Sequence, residues 1–392
     1  GEGPTPSAPS EATVLVTASP AQSCNSGTYI GPVAFGSDHV YVSFLPYQAQ
    51  GGSCNGGGGG NIQAPQTVYG APLAGGALEK IGSAGVTNDG HVQLVATGSG
   101  VAYAFNEMQS TNLSFEPGHQ SLPSMMGTNI PLGMFAIGND VYVGTLNMYM
   151  TNSGASVAAP NFPNYSGTMI TAQSPGEIWH VGSGSAGSWS PQCGALDRCL
   201  VANGSAFTYL AADPGVDASL WSLLQVPLGG TTPTKIANAP HSSGLMPLGL
   251  DMDDHQVAWS TTESCAQPMG GSFSCHMTTC NVFIYDSTAT MPAASTLLAT
   301  QQFACVDAKL ANGYVYFAIV EVSSENQVLI GRGIGRVHIA DRSVETLDLG
   351  ILAPGYGPHR VFPIGDQLYL VDPFVLARIP ASALDGKHDF TP

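Results

Sequence analysis

Leu223–Ala237 reads LLQVPLGGTTPTKIA, and Val68–Ile81 reads VYGAPLAGGALEKI. Each stretch is a short apolar strand, a Pro-Leu, a Gly-Gly turn and a second strand ending in Lys-Ile. Gly-Gly accepts the positive φ that tight hairpin turns demand. The same hairpin therefore occurs twice, about 155 residues apart. A hairpin repeated at that range marks a structural module used several times.

The other half of the module recurs more often. It is an apolar strand, a tight polar turn and a strand of alternating apolar and aromatic residues. The copies are VAFGSDHVYVSF from Val33, VQLVATGSGVAYAF from Val92, MFAIGNDVYVGTL from Met134 and CLVANGSAFTYLA from Cys199. Three more are LGLDMDDHQVAWST from Leu248, VDAKLANGYVYFAIV from Val306 and VFPIGDQLYLVD from Val361. Their turns (GSD, GSG, GND, NGS, DDH, NG, GD) use residues that tolerate left-handed backbone. The starts lie about 40 to 65 residues apart, which matches blade periods of roughly 40–50 residues plus loop insertions. Four antiparallel strands per unit, set around an axis, make an all-β fold, a β-propeller. Seven blades are expected and eight is the alternative, because MITAQSPGEIWHV near Met169 reads either as the outer hairpin of the third blade or as an extra one.

Thr13–Ala18, TVLVTA, is a β-branched strand without a neighbour in sequence. The last unit supplies about three strands, so this N-terminal strand is expected to complete it and close the ring. Residues 1–12 read as a flexible Pro/Ser/Gly tether, and 13–392 as one propeller domain. Helix is expected only as a turn or two, around Asp217–Leu224 and Ala381–Leu384. The C-terminal DGKHDFTP reads as frayed or lightly docked.

Composition narrows function. The 392 residues include 27 Asp and Glu against 10 Lys and Arg, a net charge of −17. Phosphate backbones require clustered cations, so nucleic acid is not expected as a partner, nor, on the same ground, is an anionic membrane surface. No apolar run approaches the ~18 residues of a membrane span. The chain is acidic and rich in glycine, 49 residues of it. GxSxG, HExxH and a dinucleotide-binding glycine fingerprint after a strand are all missing.

The eight cysteines show no CxxC spacing. An even count, with few lysines and much Ser, Thr and Asn, points to an oxidising compartment. The opening GEGPTPSAPSEA reads as the spacer after a removed export signal or a lipid-anchored Cys. A secreted, periplasmic or outer-surface location and a monomer are expected.

Label the strands of a blade a to d from the axis outward. Because strands alternate in direction, a–b and c–d turns share one end of the ring, and b–c loops and d–a crossings share the other. All eight cysteines fall at the second end. Cys24 with Cys54 and Cys193 with Cys199 are the expected disulfides. Cys265, Cys275, Cys280 and Cys305 pair among themselves in one of three ways that sequence leaves open. The same end collects histidines. His91, His241 and His359 each precede an inner strand, at the mouth of the channel, and Arg360 adjoins His359. His119 and His276 lie further out, in b–c loops. Imidazoles near one axis can serve as acid and base or hold a divalent metal. No other cofactor is expected.

The strand–turn–strand units and the Pro-Leu, Gly-Gly hairpins resemble exported bacterial β-propellers over roughly residues 13–385, at the level of repeat pattern. The Trp-Asp, kelch and sialidase Asp-box signatures are absent or broken, so no catalytic residue carries over from a named family. The expected function is a binding or scaffold protein at the cell exterior, recognising a glycan, peptide or protein with its disulfide-pinned loops. The alternatives are an extracellular polysaccharide lyase or hydrolase using His91, His241, His359 and Arg360, and a metal-binding propeller.

Overall fold

The computed structural model describes residues 12–18, 27–47, 65–86, 92–107, 110–116, 120–121, 125–126, 129–137, 140–147, 166–172, 178–185, 200–212, 221–227, 234–239, 245–263, 278–322, 329–350, 360–372 and 374–392. They form seven antiparallel sheets, and each is built on one of the seven sequence repeats. Sheet one joins Gly27–Phe35, His39–Tyr47, Pro65–Pro72 and Glu79–Val86 in chain order. Sheet two runs Val92–Thr97, Gly100–Glu107 and Ser110–Glu116, with the short Gln120–Ser121 and Met125–Met126 beyond. Sheet three is Asn129–Ile137, Asp140–Asn147, Ser166–Ala172 and Ile178–Ser185, so the segment around Met169 is its outer hairpin. Sheet four is Leu200–Ala202, Ala206–Ala212, Trp221–Pro227 and Thr234–Ala239, and sheet five is Leu245–Met252, Gln256–Glu263, Cys280–Asp286 and Ala294–Thr300. Sheet six is Ala304–Ala311, Tyr314–Val322, Leu329–His338 and Val344–Asp348.

Sheet seven contains Arg360–Ile364, Gln367–Val371 and Val375–Pro380, and its fourth strand is Thr13–Thr17 from the other end of the chain. The backbone thus closes as the unpartnered TVLVTA strand requires. Each inner strand neighbours the inner strands before and after it, from sheet one to sheet seven. Phe35 and Phe362, with ring centroids 4.8 Å apart, join the last to the first.

The apolar core is divided among the seams between sheets, as radial packing demands. Val16, Val33, Val42, Tyr369 and Leu376 fill the seam between sheets seven and one. Leu210, Leu223, Val257 and Trp259 fill that between four and five, with Trp259 stacked 5.5 Å from Phe283. Ala258, Val282, Phe303, Phe317 and Ile319 fill that between five and six.

The turns show why the repeats read as they do. Asn203 Oδ1 accepts from the backbone N–H of Ser205 and Ala206, and Asp253 Oδ1 does the same for His255 and Gln256. A short polar side chain at these places closes the turn by itself. In sheet six Asn312 and Gly313 both take positive φ, 51° and 80°, the geometry of a two-residue hairpin.

The twin hairpins of Val68–Ile81 and Leu223–Ala237 fold as twins. Tyr69 pairs with Lys80 and Leu224 with Lys235, and each strand bulges one step before that pair. Two details depart from the sequence reading. Lys-Ile opens the second strand of each hairpin instead of ending it, and the connection exceeds two residues. In sheet one the longer connection is held by Arg378 of sheet seven, which donates to the carbonyls of Leu73 and Ala74, at 2.6 and 3.3 Å.

The helix expectation is met at Ala381–Leu384, a single 3-10 turn, but not at 221–224, which belong to strand Trp221–Pro227. The C-terminal residues are docked, not frayed. His388 bridges Thr346 in parallel, the Thr346 hydroxyl donates to Phe390 O at 2.8 Å, and Phe390 packs edge-on to Phe303. Arg336 fastens this segment to sheet six. It is 6% exposed, bonds Glu345 and Asp385 at 2.6 Å each, and lies 4.4 Å over the Tyr314 ring.

Candidate functional site

The two ends of the ring differ in what they offer. At the end bearing b–c loops and d–a crossings, Cys280 and Cys305 form a disulfide. Cys280 opens the third strand of sheet five and Cys305 lies near the start of the inner strand of sheet six. The bond therefore crosses the seam between two sheets, and both sulfurs are fully buried. Cys24, Cys54, Cys193, Cys199, Cys265 and Cys275 lie outside the described residues. So do His91, His119, His241, His276 and His359.

Arg360 is described. Its guanidinium donates to Gly31 O at 2.8 Å and lies 5.9 Å from the Phe362 ring, so it spans the seam between sheets seven and one. Nearby in sheet seven, Asp372 is 2% exposed, and its Oδ1 accepts from the N–H groups of Phe374 and Val375 at 2.5 and 2.6 Å. Among the described residues, its Oδ2 is buried without a partner. Burial outweighs those two hydrogen bonds and pushes its pKa up to about 6.

At the opposite end, where a–b turns gather, the inner strands border an open axial cavity of about 430 Å³. Its walls come from the final residues of inner strands in sheets one, two, five, six and seven, among them Phe35, Leu94, Leu310, Phe362 and Ile364. Among the described residues, two charged side chains line it, Asp251 and Lys309. Asp251 Oδ2 accepts from Leu310 N–H at 2.8 Å, which ties sheet five to sheet six. Burial raises its pKa, against the opposing pull of Lys309 and of that hydrogen bond. Lys309 Nζ sits 5.8 Å from the centre of the Phe362 ring, within cation–π range. One step behind the wall, Asp307 is 1% exposed and its Oδ2 accepts from Val361 N–H at 2.9 Å, tying sheet six to sheet seven.

Sequence reading missed this pair. DMDD at 251–254 was legible as a turn, and its Asp253 does form one. That Asp251 reaches the axis instead follows from a bulge. Gly249, at φ +83°, shifts the pairing of its strand between Leu248 and Leu250. In sheet six the same device lies between Val306 and Lys309, with Asp307 at φ +66°. A bulge inverts the in–out alternation beyond it, so counting by twos from the middle of either strand misassigns its last residues.

Among the described residues, no group of three or more His, Cys, Asp and Glu could hold a metal ion, and no helix is long and apolar enough to cross a membrane.

Neither a known protein family nor a curated protein matches the chain. By structure it is similar to KlHsv2 with loop 6CD replaced by a Gly-Ser linker, at 9% identity over 88% of this chain and 90% of that one, with a TM-score of 0.49. It is also similar to the β-propeller domain of the Trilobed protease from Pyrococcus furiosus, which has an open velcro topology (10% identity, 91% of each chain, TM-score 0.47). A third similar structure is the α-L-arabinofuranosidase Arb93A from Fusarium graminearum (8% identity, 96% of this chain and 99% of that one, TM-score 0.45). At such identities the likeness concerns the fold alone, and the fold hosts both binding proteins and enzymes.

Proposed function

We propose that this β-propeller works outside the cytoplasm as a binding or scaffold protein, and that its b–c and d–a loops receive a glycan, peptide or protein. The observation that carries the reading is the buried Cys280–Cys305 bond. Such a bond persists where thiols are not kept reduced. Cys280 opens a strand two residues after segment 264–277, so the bond fastens the point where that segment rejoins its sheet onto the neighbouring sheet. A loop held at its foot loses less entropy on binding than a free one. Arg360 supports the same reading, because its guanidinium is already committed to Gly31 and Phe362.

The test pairs a binding screen with a turnover screen. Purified, oxidised protein is applied to glycan and peptide arrays and incubated with a panel of acidic and neutral polysaccharides. Saturable array binding, lost after replacement of residues 264–277 by a Gly-Ser linker, is the expected result. Polysaccharide cleavage that disappears in His359→Ala would replace the reading by the lyase or hydrolase one, with His91, His241 and Arg360 as its partners. Near-stoichiometric metal in elemental analysis would favour a metal-binding propeller instead.

A further inference from the structure

The axial cavity lies at the end of the ring opposite the proposed loop surface and is independent of it. Its chemistry is unusual for a solvent channel. In a chain with only 10 Lys and Arg, one lysine ammonium is directed to the axis. Among the described residues the Lys309 ammonium makes no hydrogen bond and no ion pair, and its one close partner is the Phe362 ring. Asp251 faces the same space and feels Lys309 through its charge without contacting it. A positive and a negative group thus share one open cavity, otherwise lined by apolar side chains among the described residues, and leave a gap between them.

Several ligand classes fail against this wall. A polyol such as a sugar needs a dense set of side-chain donors and acceptors, and among the described residues that line the cavity Asp251 and Lys309 are the two polar side chains. A simple anion meets Asp251, with Asp307 close behind it. A simple cation meets Lys309. What satisfies both groups at once is a molecule carrying both charges, with an apolar body for Phe35, Phe362 and Ile364. A cavity of about 430 Å³ lies in the range of small-ligand sites, roughly 300–1,000 Å³. We infer that this cavity binds a small zwitterion with an apolar side chain, of the α-amino-acid class, its ammonium held by Asp251 and its carboxylate by Lys309.

Isothermal titration of the full chain with L-phenylalanine tests the assignment, beside three controls: N-acetyl-L-phenylalanine, which keeps only the carboxylate, L-phenylalanine amide, which keeps only the ammonium, and glucose. The expected result is saturable binding of the zwitterion, with each blocked analogue weaker by at least about tenfold, since a charge-assisted hydrogen bond is worth more than one decade. Lys309→Met should cost the same factor for phenylalanine and leave the affinity for its amide unchanged or higher. This substitution removes no structural hydrogen bond, so it stays informative if Asp251→Asn, which weakens the Leu310 tie, impairs folding. No binding by any probe at millimolar concentration would overturn the inference. So would equal affinity for all four probes, preferential binding of glucose, or phenylalanine binding unchanged in Lys309→Met.

Discussion

Replacing Cys280 and Cys305 together by alanine removes one covalent tie and the volume of two sulfurs. The tie closes a segment with a sequence separation of 25. In the chain-entropy description a loop of that length restricts the unfolded state by about 3.5 kcal/mol. The melting entropy of a globular chain is about 2.1 cal/mol/K per residue, so 392 residues give about 0.8 kcal/mol/K and a fall in Tm of about 4 °C. Both sulfurs lie in the packed seam with Val282, Phe303 and Phe317, and vacating that space adds to the loss. The expected drop is therefore at least about 4 °C, read by differential scanning calorimetry of oxidised protein at several scan rates. Each single substitution should lose the tie as well and leave a buried thiol that free-thiol labelling detects only after unfolding. A double variant melting within about a degree of the parent would refute the reasoning, because a bond crossing two sheets cannot both constrain the chain and leave its melting unmoved.

Arg336→Ala should strip the half-buried Glu345 and the exposed Asp385 carboxylate of their shared partner; water reaches both carboxylates, so the expected loss is about 1–3 kcal/mol, and hydrogen exchange should show residues 385–390 opening first. Asp372 sets a pH trend. Its folded pKa of about 6 exceeds the ordinary 3.8, so the stability tied to its neutral form is complete below about pH 4 and is lost as pH rises through about 6, a change of about 3 kcal/mol. Denaturant titrations of the parent and Asp372→Asn across pH 4 to 7 should differ by that component, and parallel curves would contradict it. Gly249→Ala would place a methyl 2.7 Å from Asp307 Cα and 2.8 Å from Ala308 N, on a backbone with φ +83°; poor folding or a large Tm loss is expected, and a neutral outcome would show that the inner strands of sheets five and six are further apart. With Cys280 paired to Cys305, peptide mapping should recover Cys265 linked to Cys275, and any other partner for either would break the expected set.

What the sequence made legible follows from how local each signal is. Hairpins are local: alternation, aromatic residues and a turn of Asn, Asp or Gly lie within about a dozen residues, and all seven repeats became the innermost hairpins of sheets. The ring closure was also readable, because a β-branched strand with no neighbour and a last unit one strand short imply each other. Contacts between sheets were only half readable. Asn203 and Asn312 stand at the same place in two ANG turns, and each donates to a carbonyl in the next sheet, Asp253 O at 3.1 Å and Gly365 O at 3.0 Å. The repeat shows the residue, but its partner depends on which sheet follows in space. The disulfide is the same case: three pairings satisfied the sequence, and the position of the seam joins Cys280 to Cys305.

The axial pair was hidden by a different cause. Gly249 and Asp307 each add a residue to an inner strand, and beyond each bulge the polar member of the alternation turns inward. A non-glycine residue at positive φ is costly, and at Asp307 the strain is offset by the hydrogen bond its carboxylate takes from Val361. The glycine in LGLDMDD and the aspartate in CVDAKLAN are therefore the informative residues of those strands. Each reverses the face of the charged group two positions later, Asp251 in one and Lys309 in the other, and brings both to the axis.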